Sequence, residues 1–310
     1  KLLYEDIVQQ ISYDTLTDWK IEKLRKFGKY TLWNEQEDAL KAAISLLHYY
    51  YEIVVQFNPD VESNDEEPNI KRKKSVFEDL VKRNPGIKEI GKVEEEDEIY
   101  DEMINYFVED SSTSHLSFEN FLNKMGFWMA TGSGKTLVII KLIEILDLLK
   151  ARNLIPDNNI LILTETESLL NQIKKTVDEY NKDSEKKIIL RNLKDAFDKK
   201  KKSNEIIVYT YLSGNITNET KQVQLDYKDI EENGKWYVFL DEGHKGSGRE
   251  EERKRMNYLS VISRNGFLFN FSATFTENED KFTTVYNFNL EKFTQKGYGK
   301  NLFISKHKGL

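Results

Sequence analysis

A glycine-rich segment near the middle of the chain carries the clearest chemistry. The sequence reads Ala-Thr-Gly-Ser-Gly-Lys-Thr from residue 130. Glycine lets backbone N–H groups close around phosphate oxygens, because a β-carbon there would block the approach. Lys135 can reach the β- and γ-phosphates of a nucleotide, and the Thr136 hydroxyl can bind Mg²⁺. The residues predicted to contact the nucleotide are Thr131, Gly132, Ser133, Gly134, Lys135 and Thr136.

Two adjacent carboxylates follow an apolar run further along the chain. Asp241 and Glu242 come directly after Trp236–Leu240, and ligands bind at the carboxyl ends of strands in open α/β sheets. Asp241 suits the Mg²⁺ shell, whereas Glu242 suits the base that orients or deprotonates an attacking water. His244 is expected to couple this pair to the rest of the site, although a lone histidine is more typical of surface or structural positions.

A third group of polar residues ends another apolar run. Ser272 and Thr274 follow Phe267–Phe271. Hydroxyl residues end many strands, so this group alone predicts little. In order after the glycine-rich loop and the carboxylates, it becomes the third member of a set.

The residues around these groups alternate between short apolar runs and helical stretches. Ile160–Thr164 and Ile206–Thr210 are such runs, and the helical pattern Thr136–Ala151 precedes them. Buried runs separated by helices predict a parallel sheet that helices cover on both faces. We therefore expect an α/β domain over residues 116–290, with the polar groups at one edge of its sheet.

The region before residue 116 has a different pattern. Glu37–Tyr51 carries apolar residues at helical spacing, which predicts an amphipathic helix. Acidic residues outnumber basic ones between about residues 58 and 110, around the basic island Lys71–Lys74. Residues 1–115 are therefore expected to be mostly helical, with a charged insertion that forms solvated surface or, alternatively, docks a partner.

Composition sets the outer limits. The chain has 310 residues, of which 39% are apolar, and this suffices for one large domain or two modest ones. The absence of cysteine excludes disulfides and cysteine-ligated zinc. No run approaches the roughly 18 apolar residues that span a bilayer, and we expect a cytoplasmic protein of a microbial cell. The net charge of −7 still allows a local groove for nucleic acid.

The three groups together resemble the superfamily 2 helicases and translocases. The glycine-rich loop matches motif I, Asp-Glu-Gly-His from Asp241 matches motif II, and Ser-Ala-Thr from Ser272 matches motif III. The resemblance implies a RecA-like domain that hydrolyses ATP with Mg²⁺. It also implies that Ser272, Thr274 and His244 relay the state of the nucleotide to the nucleic acid.

Weaker matches lie in the expected order. Leu163-Thr164 resembles motif Ia, the run that ends in Thr210 and Tyr211 resembles motif Ib, and residues 30–50 resemble the glutamine motif. These matches imply that Thr164, Thr210 and Tyr211 contact nucleic acid and that Gln36 lies near the adenine edge.

Within the superfamily, the sequence is similar to the Res subunits of type III restriction enzymes and related defence helicases. The segments behind this similarity are 127–136, 240–246, 271–275, 285–290 and 296–300. The similarity implies a motor on double-stranded DNA in a restriction-modification or antiphage defence system. It also implies a methyltransferase or specificity subunit as a partner, and membership of a site-specific deoxyribonuclease.

Such motors bind ATP between two RecA-like domains, and the second domain supplies an arginine finger. About 35 residues follow Ser-Ala-Thr, which is too few for that domain, and residues 291–310 are expected to begin a linker toward it. An arginine finger accelerates phosphoryl transfer by several orders of magnitude. Residues 1–310 alone are therefore expected to bind ATP and Mg²⁺ but to hydrolyse ATP slowly.

Other functions remain open at this point. An RNA helicase of the same superfamily has the same three motifs. A nucleotide-switched clamp or sensor of DNA would bind nucleotide with little turnover, although Glu242 disfavours it. An unrelated phosphate-loop enzyme such as a kinase is disfavoured by the order of the motifs.

Overall fold

The computed structural model describes residues 2–62, 65–89, 99–107, 109–110, 115–195, 203–217, 224–241, 249–275 and 278–298. Its strands are β1 (Lys26–Phe27), β2 (Tyr30–Thr31), β3 (Glu109–Asp110), β4 (His115–Leu116), β5 (Lys124–Met129), β6 (Asn159–Thr164), β7 (Lys187–Asn192), β8 (Glu205–Leu212), β9 (Ile216–Thr217), β10 (Leu225–Asp226), β11 (Trp236–Asp241), β12 (Phe267–Ser272) and β13 (Thr284–Phe288).

The helices are α1 (Leu3–Val8), α2 (Asn34–His48), α3 (Pro59–Glu62), α4 (Glu67–Arg83), α5 (Tyr100–Met103), α6 (Lys135–Ala151), α7 (Glu167–Asp183), α8 (Arg249–Ile262), α9 (Asn278–Phe282) and α10 (Leu290–Gln295). A π-helical turn, Tyr49–Val54, extends α2. Within the described ranges, no helix is both long and apolar enough to cross a bilayer.

Seven strands form one parallel sheet in the order β13-β5-β12-β11-β6-β8-β7. Its central strands are buried on both faces. In β6, for example, Ile160 and Ile162 belong to one apolar core, whereas Leu161 and Leu163 belong to a second core on the opposite face. This separation follows from the two-residue period of a strand.

Helices cover both cores. Side chains of α2, α6 and α7 contribute to the first core, and side chains of α8 contribute to the second. The predicted α/β class, with a parallel sheet between two layers of helices, is therefore confirmed. Because all seven strands run in the same direction, the polar residues that follow them lie at one edge of the sheet, its carboxyl edge.

The N-terminal region is mostly helical, as predicted, and it joins the first core. Tyr4 in α1 donates a hydrogen bond from its hydroxyl to the carbonyl of Leu122, 2.5 Å away, just before β5. The apolar side of α2 is buried in the same core. The boundary at residue 115 stays a prediction, because a shared core does not define where one domain ends.

A buried ion pair anchors the charged insertion. The guanidinium of Arg72 in α4 forms two bonds of 2.9 and 2.7 Å to the carboxylate of Glu62 in α3. The guanidinium also lies over the rings of Tyr50 and Tyr51, 5.5 and 5.2 Å from their centroids. Such a pair fixes geometry more than it adds stability, but removal of one partner is costly. The start of the insertion is therefore attached to the core.

The lowered pKa of Lys73 in α4 predicts that the stability of the protein depends on pH. Its ammonium is buried and donates a hydrogen bond of 3.0 Å to the carbonyl of Asn120. Burial, and then the nearby charge of Arg264, lower the pKa of Lys73 to about 7, although Glu66 and Glu119 act in the opposite direction. Between about pH 7 and 10.5 the unfolded chain holds this proton more tightly. The free energy of unfolding therefore rises with pH across that window.

The test is urea unfolding of the wild type and of Lys73→Met from pH 7 to 9.5. The wild type is expected to gain stability relative to the variant, on the order of a few kcal/mol, because one pKa unit corresponds to about 1.4 kcal/mol. The exposed neighbour Lys74→Met is the matched control and is expected to follow the wild type. Equal pH profiles for wild type and Lys73→Met would contradict the assignment.

Candidate functional site

The predicted groups meet at the carboxyl edge of the sheet. Asp241 ends β11, where it pairs with Thr164 at the end of β6 and with Phe271 in β12. Ser272 ends β12 beside Trp128 of β5. The glycine-rich loop follows β5 directly. Parallel pairing in this register therefore places motifs that are distant in sequence side by side at the carboxyl edge of the sheet.

The loop between β5 and α6 requires its glycines. Gly132 and Gly134 have φ angles of +84° and +87°, in the left-handed region that disfavours residues with a β-carbon. A β-carbon on Gly134 would lie 2.2 Å from the side-chain nitrogen of Gln36, whereas one on Gly132 would have open space within 4 Å. Helix α6 begins at Lys135, so its first amides face the loop without intrahelical partners. The start of α6 therefore offers N–H donors to a ligand held in the loop.

Three polar side chains in the loop and the first turn of α6 are buried. Ser133 Oγ has no hydrogen-bond partner among the residues that the structure describes. Lys135 Nζ lies 3.3 Å from the carbonyl oxygen of Met129, at the base of the loop. Thr136, in the first turn of α6, is also buried. These groups offer a hydroxyl donor, a positive charge and a second hydroxyl within one turn of chain.

Gln36 connects the N-terminal region to the loop. Its Nε2 donates a hydrogen bond of 3.0 Å to the carbonyl of Ser133, and its Oε1 accepts one of 2.9 Å from the backbone N–H of Trp33. The side chain is buried between the start of α2 and the loop. The sequence predicts that Gln36 lies near the nucleotide, and the structure places it against the phosphate loop. Its contact with adenine stays a prediction.

The Ser-Ala-Thr segment forms a tight turn. Ser272 Oγ donates to the carbonyl of Thr274 at 2.6 Å and accepts from the Thr274 N–H at 3.0 Å. The indole N–H of Trp128 donates a 3.0 Å hydrogen bond to the carbonyl of Ala273. Sequence reasoning missed Trp128. The available signal was a side chain with an apolar body and a polar tip, next to the loop in a buried strand.

The residues predicted to contact nucleic acid lie further along the same edge. Thr164 Oγ1 is 3.3 Å from the carbonyl of Thr166, and Thr210 Oγ1 is 3.3 Å from that of Arg191. Tyr211 is mostly buried, with the ammonium of Lys194 6.0 Å from its ring centroid. Both threonine hydroxyls contact backbone carbonyls, that of Thr164 within its own loop and that of Thr210 on the neighbouring strand β7. Their contact with nucleic acid stays a prediction.

Glu242 and His244 lie outside the described residues, so their predicted roles rest on the sequence. The donors predicted for Mg²⁺ fit that ion by chemistry. Thr136 offers a hydroxyl and Asp241 a carboxylate, and Mg²⁺ prefers oxygen ligands. Both side chains are buried at the carboxyl edge.

This arrangement is that of a RecA-like nucleoside triphosphatase domain, with a phosphate loop and an acidic strand end on one sheet edge. The sequence model of the family described as type III restriction enzyme, res subunit, matches residues 92–277. The chain belongs to this family, because the match spans more than half of its 310 residues. Members of this family are superfamily 2 motors that bind nucleic acid and hydrolyse ATP, generally with Mg²⁺.

A solved structure is also similar to the chain. The crystal structure of the UvsW helicase from bacteriophage T4 is 12% identical in sequence, with a TM-score of 0.31. The similarity covers 79% of this chain and 92% of that one. No curated protein sequence matches the chain.

Proposed function

We propose that the chain is the nucleotide-binding half of an ATP-driven translocase on double-stranded DNA, within a restriction-modification or antiphage defence system. The phosphate loop carries the proposal, because Gln36 donates a hydrogen bond to its backbone and Lys135 Nζ lies at its base. The description of the family as a restriction enzyme subunit supports DNA as the polymer.

The loop suits the phosphates of ATP in three ways. The open space beside Gly132 accommodates an oxygen that a β-carbon would exclude. The first amides of α6 supply donors and the positive end of the helix dipole. Ser133 Oγ, without a partner among the described residues, supplies another donor.

Hydrolysis is assigned to the end of β11. When bound with ATP, Mg²⁺ neutralises charge on the phosphate oxygens. We assign Thr136 and Asp241 to hold the ion, because both offer buried oxygen donors at this edge. Glu242 follows Asp241, so its carboxylate is assigned to orient the attacking water and accept its proton.

The Ser-Ala-Thr turn is assigned to coupling. Hydrogen bonds from Ser272 Oγ and from the Trp128 indole hold the turn. A displacement of β5 would therefore move Thr274 as well. Ser272 and Thr274 would pass that displacement to His244.

Thr164, Thr210 and Tyr211 are the proposed contacts to nucleic acid. The charged insertion is a candidate surface for a methyltransferase subunit.

ATP hydrolysis by the complete protein tests whether DNA or RNA is the polymer on which the motor acts. Duplex DNA is expected to stimulate turnover more strongly than duplex or single-stranded RNA, and stimulation is expected to fall with added salt because phosphate contacts release counterions. Stronger stimulation by RNA would favour an RNA helicase and contradict the DNA assignment. Tight ATP binding without stimulation by either polymer would favour the nucleotide-switched sensor.

A further inference from the structure

The last described part of the chain runs beside the phosphate loop. We call residues 284–298 the exit segment. Its strand β13 pairs with β5, and the N–H of Ala130, the first residue of the loop, donates a 2.9 Å hydrogen bond to the carbonyl of Phe288. Ala130, Phe288 and Phe293 share a small apolar core. The exit segment therefore contacts the loop where the loop begins.

A second contact joins the exit segment to the start of α2. The carboxylate of Glu35 is 4% exposed. It accepts a 2.9 Å hydrogen bond from Lys296 Nζ and a 3.1 Å hydrogen bond from the hydroxyl of Tyr298. Burial acts to raise the pKa of Glu35, but hydrogen bonds from Lys296, from its own backbone and from Tyr298 together hold that pKa below its usual range. Glu35 is therefore an anion that the exit segment neutralises.

An aromatic stack strengthens this contact. The ring of Tyr298 lies parallel to that of Trp33, with an interplanar angle of 7° and 5.2 Å between centroids. Trp33 and Glu35 both lie just before Gln36 in the chain, and the backbone N–H of Trp33 donates a hydrogen bond to Gln36 Oε1. The exit segment thus contacts two of the three residues that come directly before Gln36, the glutamine that contacts the loop.

We infer that Glu35, Lys296 and Tyr298 form a clasp through which the exit segment positions Gln36 against the phosphate loop and thereby sets nucleotide affinity. The inference rests on the proposed function of the loop as the phosphate site. Glu35, Lys296 and Tyr298 are positioning residues, because they act through Gln36 and the Ser133 carbonyl. Movement of the chain after β13 would then change how tightly the nucleotide is held.

The exposure of the clasp distinguishes it from an anchor of the fold. The side chain of Lys296 is 56% exposed, and Tyr298 is 43% exposed. Residues that stabilise a core are usually buried, and only the Glu35 end of this pair is buried. Loss of Lys296 or Tyr298 is therefore expected to alter the position of Gln36 without unfolding the chain.

The test compares binding of ATP and of inorganic tripolyphosphate, each with Mg²⁺, by calorimetry on the full chain. Lys296→Met and Tyr298→Ala are expected to weaken both ligands by the same factor, on the order of tenfold, the usual size of a coupling between two sites. Lys296→Arg keeps the charge and is expected to restore binding. Lys292→Met is the matched control, because Lys292 lies on the same segment and pairs with Glu5 instead.

Each other outcome overturns a defined part of the inference. Unchanged affinity of Lys296→Met and Tyr298→Ala for both ligands would contradict the proposed role of the clasp. Loss of ATP affinity with unchanged tripolyphosphate affinity would mean that these residues act on the base, not on the phosphate loop. A wild-type chain that binds neither ligand would overturn the proposed function of the loop, and the clasp with it.

Discussion

Lys135→Ala is expected to abolish ATP hydrolysis and to weaken nucleotide binding. Lys135 Nζ already lies at the base of the loop, 3.3 Å from the Met129 carbonyl. Its removal takes away the positive charge that the loop itself would offer to the β- and γ-phosphates. Loss of one preorganised electrostatic contact typically reduces kcat by about 10²- to 10³-fold. The measurements, made on the complete protein, are kcat/KM for ATP and the dissociation constant of ATP with Mg²⁺.

The control for this variant is Lys174→Ala, which removes an exposed lysine from α7. It is expected to keep both the turnover and the binding of the wild type. Equal melting temperatures of the two variants would show that Lys135→Ala acts on the site and not on the fold. If Lys135→Ala bound and hydrolysed ATP as the wild type does, the proposed role of the loop in ATP binding and hydrolysis would be contradicted.

Glu242→Gln is expected to keep ATP binding and to lose hydrolysis. The amide has the size of the carboxylate but cannot accept the proton of the attacking water. A positioned general base contributes about 10²- to 10⁴-fold to a rate, so kcat falls by that order while the dissociation constant stays near that of the wild type. Single-turnover hydrolysis and calorimetric binding separate the two quantities.

The matched control for Glu242→Gln is Glu185→Gln, because Glu185 is an exposed acid outside the carboxyl edge. Its kcat is expected to equal that of the wild type. If Glu242→Gln instead lost binding and hydrolysis equally, Glu242 would belong to the nucleotide or metal contacts and the role of base would pass to another group.

The parts of the fold and site that the sequence predicted are those with local signatures. The left-handed conformation of the two loop glycines follows from their spacing in the phosphate-loop pattern. Glycine adopts this conformation readily, and it lets the backbone close around phosphates. The parallel sheet follows from short buried runs between helices. The position of Asp241 follows from the apolar strand before it. Each of these inferences uses a pattern within a few residues of the feature itself.

The parts that the sequence did not predict depend on contacts across the chain. The hydrogen bond between Gln36 and the Ser133 backbone depends on how α2 docks against the sheet. The contact of Trp128 with Ala273 depends on the register between β5 and β12. No local pattern specifies docking or register at that precision, and the contact of Glu35 with Tyr298 has the same origin.

The order of strands in the sheet has a consequence for how the protein forms. Strand β5, which carries the phosphate loop, lies between β12 and β13, and both of these are made much later in the chain. Pairings between distant segments are slow to form, because the intervening chain loses entropy before any contact stabilises it. A growing polypeptide therefore contains the loop long before it contains the strands that shape it. The ability to hold a nucleotide arises late in folding, once Phe288 has reached Ala130.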